Sequence, residues 1–265
     1  MHIGEDQRVL VRTEERGTTG RVVQVTVNNP DRRNVLGIAG KQQLAGAFRK
    51  LARDPLVRVV VLTGAGERSF IAGADLAEMK DLNRAGAIKE HSWTHRACAA
   101  IRALPVPVIA RINGYCFGAG MEIATACDMR VGVTPAKFGM PEVRFGIPSG
   151  MEACLLPQLI GWGKTRELVY TGDHIEAAEA YRIGFLEKLV EPVALDVAVD
   201  QWVASILAGG PRAIRLQKAL VHDWERLSIE KAIQAGIRAC VEARRTDEPR
   251  RLMQAFLDRK KRRKA

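Results

Sequence analysis

The tightest constraint on what this chain can fold into is one stretch near its middle, Ala110-Arg-Ile-Asn-Gly-Tyr-Cys-Phe-Gly-Ala-Gly-Met-Glu-Ile-Ala124. The apolar run leading into it, Val106 to Ile112, is broken only by Pro107 and Arg111 and is short enough for a buried strand. The chain then crosses a turn at Asn113-Gly114 and enters a helix through Gly118-Ala119-Gly120. A helix start leaves several backbone N–H groups without partners and carries the positive end of the helix dipole. Small residues there let a ligand oxygen approach the backbone itself. One turn later, Glu122 projects a carboxylate from the same helix. A backbone donor beside a general acid or base outlines half of a reaction centre.

The flanking patterns place that stretch in an α/β chain. Arg8 to Arg12 and Arg21 to Asn28 alternate apolar and polar residues and read as a hairpin, with Gly17 and Gly20 between them. From Gly37 to Arg53 the apolar residues Ile38, Leu44, Ala47, Phe48 and Leu51 fall at helical spacing, and Asp54-Pro55 stops the helix. Val57 to Thr63 is β-branched and nearly all apolar, as expected of a strand covered on both faces. A Gly-rich loop, 64–75, follows, then a helix over 85–103 that precedes the central strand. Asp128 to Val133 makes another strand and Phe138 to Phe145 an irregular segment. Beyond Ser149 the spacing predicts helices over 151–160, 164–170, 176–182, 194–208, 212–222, 228–242 and 247–259, with a short strand near Leu186 to Val190. Strand–helix repeats followed by a run of helices suggest an α/β core with a C-terminal helical part.

Several chemistries are excluded by spacing. A dinucleotide fingerprint at Gly118 and Gly120 needs a small residue at position 123, which is Ile123. Gly163-Lys164-Thr165 imitates the end of a phosphate-binding loop, but the glycine that motif needs is replaced by Gln158. No serine lies in a G-x-S-x-G elbow. His91 and His95 could share a helix face, yet no HExxH pattern or third ligand accompanies them, so no metal is expected. Cys98, Cys116, Cys127, Cys154 and Cys240 form no CxxC, an odd scattered set that suggests reduced thiols in a cytoplasm. No apolar run approaches the roughly 20 residues of a membrane span. The first residues, with Glu5, Asp6, Glu14 and Glu15, resemble no secretory or transit signal. The net charge of +11 comes partly from Arg259 to Lys264, which reads as a frayed basic end able to attract nucleic acid, an acidic partner or a phosphate-rich ligand.

Two further features carry chemistry. The loop Phe70-Ile-Ala-Gly-Ala-Asp75 directly follows a buried strand, and its small residues suit either a tight turn packed for sterics or backbone N–H groups facing a ligand. In Met140-Pro141-Glu142, Pro141 fixes the backbone just before a carboxylate that could also be merely solvated. Taken with the central stretch, and with Asn29-Pro-Asp-Arg-Arg-Asn-Val-Leu36, these segments resemble the enoyl-CoA hydratase/isomerase (crotonase) superfamily. The resemblance runs in order over roughly residues 8 to 258.

It implies a spiral core of β-β-α repeats over residues 1–195 and a C-terminal helical trimerisation region over 196–265, usually in trimers or dimers of trimers. It implies an acyl-CoA thioester substrate, CoA being part of the substrate rather than a separate cofactor. The enolate oxygen would be held by the backbone N–H groups of Ala74 and Ala119. Two glutamates, Glu122 and Glu142, would flank the Cα=Cβ bond, the first activating water and the second serving the Cα proton. Arg32, Arg33, Val35, Ala72, Gly73, Asp75, Leu76 and Gly118 would line the substrate and CoA site, the two arginines near the phosphates. Burial and mutual repulsion should raise at least one carboxyl pKa.

One departure from many hydratases is Glu152, which either favours a helix start or alters the acyl pocket; Gln158 stands where arginine is common. The competing readings are an isomerase or hydrolase of the same fold working through Glu142 alone, and RNA binding through the basic surface. No RNP, KH or zinc-finger pattern supports the latter, so nucleic acid is not an expected partner.

Overall fold

A computed structural model of the chain describes residues 7–16 and 20–262, excluding the side chains of residues 261 and 262. Gly17, in the expected hairpin turn, and Arg263 and Lys264, at the basic end, lie outside the described residues. The strands are β1 (Val9–Glu15), β2 (Arg21–Val27), β3 (Val57–Gly64), β4 (Ser69–Ile71), β5 (Val108–Ile112), β6 (Tyr115–Phe117), β7 (Met129–Val133), β8 (Lys137–Gly139), β9 (His174–Glu176) and β10 (Lys188–Val190). The helices are α1 (Ile38–Leu51), α2 (Leu76–Met79), α3 (Arg84–Arg102), α4 (Ala119–Ala126), α5 (Leu156–Thr171), α6 (Ala177–Arg182), α7 (Leu195–Ala208), α8 (Pro211–Trp224), α9 (Ile229–Ala243) and α10 (Glu248–Arg262). The chain falls into two units, residues 1–202 and 203–265.

In the first unit a six-stranded sheet runs in the order β1-β2-β3-β5-β7-β10, antiparallel at the β1–β2 hairpin and parallel elsewhere. Every residue of β3 is buried, as expected for a parallel strand packed on both faces. A second sheet, β4-β6-β8-β9, is built from three-residue strands. Each turn of the chain gives one strand to the large sheet, the next to the small one, then a helical segment: β3 and β4 precede α2 and α3, and β5 and β6 precede α4. This is the β-β-α repeat.

The small sheet is where structure and sequence differ. The segments holding β4, β6 and β8 read as loop, turn and irregular chain, because three residues are too few to show a period of two. The two helices expected between 151 and 170 are instead a 3₁₀ turn, Met151–Leu155, followed by α5, which bends at Gly161 (φ 73°, ψ 160°). The expected fraying of the basic end is also corrected: α10 remains helical to Arg262.

In the second unit α8 packs against α9. Glu248 caps α8 by accepting from the amides of Arg212 (3.2 Å) and Ala213 (3.0 Å). On α9, Ile229, Ile233, Ile237 and Val241 repeat every four residues and are all exposed; on α10, Leu252, Met253, Phe256 and Leu257 are exposed too. No single helix among the described residues is long and apolar enough to cross a membrane.

Candidate active site

The site is built where two loops are laced together behind the small sheet. Asn34, fully buried, donates from Nδ2 to the carbonyls of Ala65 (2.9 Å) and Ser69 (2.8 Å), while its Oδ1 accepts from the Asn29 amide (3.0 Å). Ser69 Oγ donates to the Arg33 carbonyl (2.7 Å), and the Ala72 amide donates to the same carbonyl (3.1 Å). Arg33 and Asn34 both adopt left-handed backbone (φ 53° and 57°), a conformation these bonds sustain. The lacing continues as a parallel bridge between Leu36 and Ala74: the Leu36 amide donates to Gly73 O (3.0 Å) and the Asp75 amide to Leu36 O (3.1 Å). Because that bridge uses the groups on either side of Ala74, the Ala74 N–H points away from it.

The second backbone donor comes from α4, all of whose residues are buried. Its start is set by glycines. A methyl group on Gly120 would stand 2.0 Å from the Ile71 carbonyl oxygen, so only glycine lets α4 lie this close to β4. Gly118 takes φ 51°, ψ −120°, and leaves Ala119 as the first helical residue, whose amide is one of the unpaired donors of a helix start. Among the described residues, neither the Ala74 nor the Ala119 N–H donates to another group.

Both alanines line one cavity of about 540 Å³. Its wall includes every residue expected at the substrate site: Arg32, Arg33, Val35, Ala72, Gly73, Asp75, Leu76, Gly118 and Glu142. Two of them are engaged otherwise than as free ligand contacts. Asp75 accepts both guanidinium arms of Arg32 (2.6 and 2.7 Å) and caps α2 through the Ala77 amide (3.0 Å), so the Arg32 charge is already balanced on the wall. Arg33 lies over the Tyr115 ring, 5.6 Å from its centroid.

The two glutamates come to the first turn of α4 from different elements, close enough for the charge of Glu142 to act on Glu122. Glu142 opens a 3₁₀ turn, Glu142–Phe145, and its Oε2 accepts from Ser149 Oγ at 2.7 Å. Its Oε1 lies where a side chain on residue 118 would be: a methyl group on Gly118 would stand 2.5 Å away. Glu122, unlike Glu142, does not line the cavity; it is only 2% exposed, with Oε1 accepting from the Ala153 amide at 3.2 Å. Burial, then the nearby charge of Glu142, pushes the Glu122 carboxyl up to about 8, and the Ala153 bond opposes this only in part.

Glu152 is buried on the far side, its Oε1 2.8 Å from His95 Nδ1. It does lie in the first turn of the Met151–Leu155 helix, as one of its two expected roles has it, but it does not line the cavity, although its charge adds to the pressure on Glu122. His91 and His95 turn to different partners, Glu90 and Glu152, and the described residues hold no group of three potential metal ligands.

Sequence reasoning missed a polar portion of the wall formed by Lys41 from α1 and by Glu90, His91 and Thr94 from α3. A signal existed. Lys41 stands in phase with the buried Leu44, Ala45 and Phe48, and Glu90 in phase with Thr94, Ala97, Cys98 and Ile101.

Comparison with known proteins shows the family. The sequence profile of the family described as Enoyl-CoA hydratase/isomerase matches residues 17–263. The short-chain-enoyl-CoA hydratase of Clostridium acetobutylicum is 35% identical over 243 residues, covering 91% of this chain and 93% of the relative. The crotonyl-CoA hydratase of Syntrophomonas wolfei is 34% identical, with 96% of each chain covered. The crystal structure of an enoyl-CoA hydratase from Bacillus anthracis superposes with a TM-score of 0.89 at 31% identity, over 94% of this chain and 96% of that one. With two unpaired amides and two acids gathered at one helix start, and with a match along nearly its whole length, the chain belongs to the enoyl-CoA hydratase/isomerase family.

Proposed function

We propose that this protein is an enoyl-CoA hydratase: it adds water across the 2,3 double bond of a trans-2-enoyl-CoA to give a 3-hydroxyacyl-CoA. The observation that carries this reading is the approach of Glu142 to the start of α4, where Ala119 and Glu122 also lie. The thioester oxygen sits between the amides of Ala74 and Ala119. There the negative charge that develops as water oxygen bonds to Cβ meets two fixed donors and a helix dipole. Adding water moves two protons, so one carboxylate takes a proton from the attacking water and one carboxyl delivers a proton to Cα. A pair that holds one proton between its members meets both needs, and burial first, then the charge of Glu142, raises Glu122 in the direction that favours such a pair.

In the order the family implies, Glu122 receives the water proton and Glu142 supplies Cα. That order requires the shared proton to lie on Glu142 when the thioester is bound. The steps are the bonding of the water oxygen to Cβ and two proton transfers, and they call on no metal or separate cofactor.

The test is the loss of conjugated-enone absorbance on mixing with crotonyl-CoA. Glu122→Gln and Glu142→Gln should each lower turnover by about 10²–10⁴-fold while leaving CoA affinity largely intact. Wild-type turnover in either variant, or a gain of absorbance from a 3-enoyl-CoA with no hydration of crotonyl-CoA, would overturn the reading.

The exposed apolar rows of α9 and α10 support assembly as a homotrimer or a dimer of trimers, since rows of this kind are what a subunit interface covers. Light scattering of the purified protein measures this directly. All five cysteines are free, which suits a reducing compartment, and the cytoplasm is the proposed location.

A further inference from the structure

The polar portion of the cavity wall points to a substrate class. Lys41 is fully buried and Glu90 is 2% exposed, and they form an ion pair between α1 and α3. A strut between two helices would leave nothing over, but this one leaves hydrogen-bonding capacity on both sides. The ammonium has three donors, and Glu90 Oε1 is its one side-chain acceptor among the described residues. Glu90 Oε2 is buried without a hydrogen bond; His91 Nδ1 lies 2.9 Å away, but off the direction a hydrogen bond needs, so it too lacks one. All three side chains line the cavity that holds the reaction centre. Lys41 is close enough to that centre for its charge to pull against the raised pKa of Glu122.

On the hydratase reading, from which this inference starts, the acyl chain occupies the same cavity that Lys41, Glu90 and His91 line. We propose that the preferred substrate is a 2-enoyl-CoA carrying a hydroxyl group on the acyl chain just beyond the reacting carbons, held by Lys41 and Glu90. A hydroxyl accepts from the ammonium and donates to Glu90 Oε2, so it satisfies both leftover groups at once. A terminal carboxylate would face the Glu90 charge, and an amine would face Lys41. A plain alkyl chain would bury both groups against hydrocarbon, which leaves buried polar atoms unpaired.

The experiment compares 5-hydroxypent-2-enoyl-CoA with pent-2-enoyl-CoA, with crotonyl-CoA and the carboxylate-ended glutaconyl-CoA alongside. The wild type should favour the hydroxylated thioester over its alkyl counterpart by about 10- to 150-fold in kcat/KM, the range expected of a hydrogen bond to charged groups. Replacing both partners, Lys41→Met with Glu90→Leu, should bring that ratio to about one or below while pent-2-enoyl-CoA is still hydrated. Should the double variant fail to fold, Glu90→Gln keeps the shape and should still reduce the ratio.

Equal or faster hydration of the alkyl thioester by the wild type overturns the inference, as does a preference for the carboxylate. An unchanged ratio in a folded double variant does the same. In each of these cases turnover of crotonyl-CoA leaves the hydratase reading standing. If the wild type hydrates none of the four, that reading falls and the inference with it.

Discussion

Glu122 and Glu90 are both acids at 2% exposure, on helices that wall the same part of the first unit, yet their surroundings differ. Glu90 has a buried lysine on one oxygen. Glu122 has a backbone amide, and beyond it two further carboxylates, Glu142 and Glu152, whose charges oppose its own. A buried carboxylate with a cation at hand can stay charged, and breaking the pair leaves a stranded charge. A buried carboxyl that meets mainly like charges holds its proton instead, and can release it when the surroundings change. The contrast separates an acid paired with a buried cation from one whose surroundings favour keeping its proton.

Three measurements sharpen or break that contrast. The largest effect is expected from Glu90→Leu alone, which strands the Lys41 ammonium in the interior and should cost about 3–5 kcal/mol of stability. The double change with Lys41→Met should recover most of this, as urea unfolding would show. A single variant as stable as the wild type would mean that Lys41 is not held charged by Glu90.

Next comes the pH dependence. The folded-state value of Glu122, about 8, lies above its ordinary 4.5, so its contribution to stability is complete below about 4.5 and is lost as pH rises through about 8. Glu122→Gln should remove this part of the slope, a change on the order of a few kcal/mol, and leave a neutral-pH protein at least as stable as the parent. Parallel stability profiles for the two proteins would show that the proton is not on Glu122.

The smallest effect should come from Asp75→Asn. It weakens the grip on Arg32, whose side chain is half exposed, while keeping a cap on α2. A loss of about 1 kcal/mol or less is expected. A much larger loss would place Asp75 with Glu90 as a structural anchor.

Much of this was legible in the chain. The fully buried strand β3, the run into β5 and the glycine-bounded entry to α4 each carry their cause locally, in β-branched residues or in a helix start. The segments holding Ala74, Ala119, Glu122 and Glu142 could be named before their geometry was known. What could not be read is whatever depends on partners distant in sequence. The strands of the small sheet are too short to announce themselves. Lys41 and Glu90 sit 49 residues apart, and only the packing of α1 on α3 turns two charged residues in apolar phase into one polar patch. Glu152 could be recognised as an extra acid, but not as the neighbour of His95.

Gly118 has a consequence for more than the helix it opens. The space into which Glu142 leans is open because residue 118 contributes no carbon beyond its backbone. Any larger residue there would crowd the acid and would also strain the φ 51° backbone from which the Ala119 amide opens α4. On the hydratase reading a second carboxyl and a backbone donor would then be disturbed together, so the bare backbone at this one position serves two parts of the site.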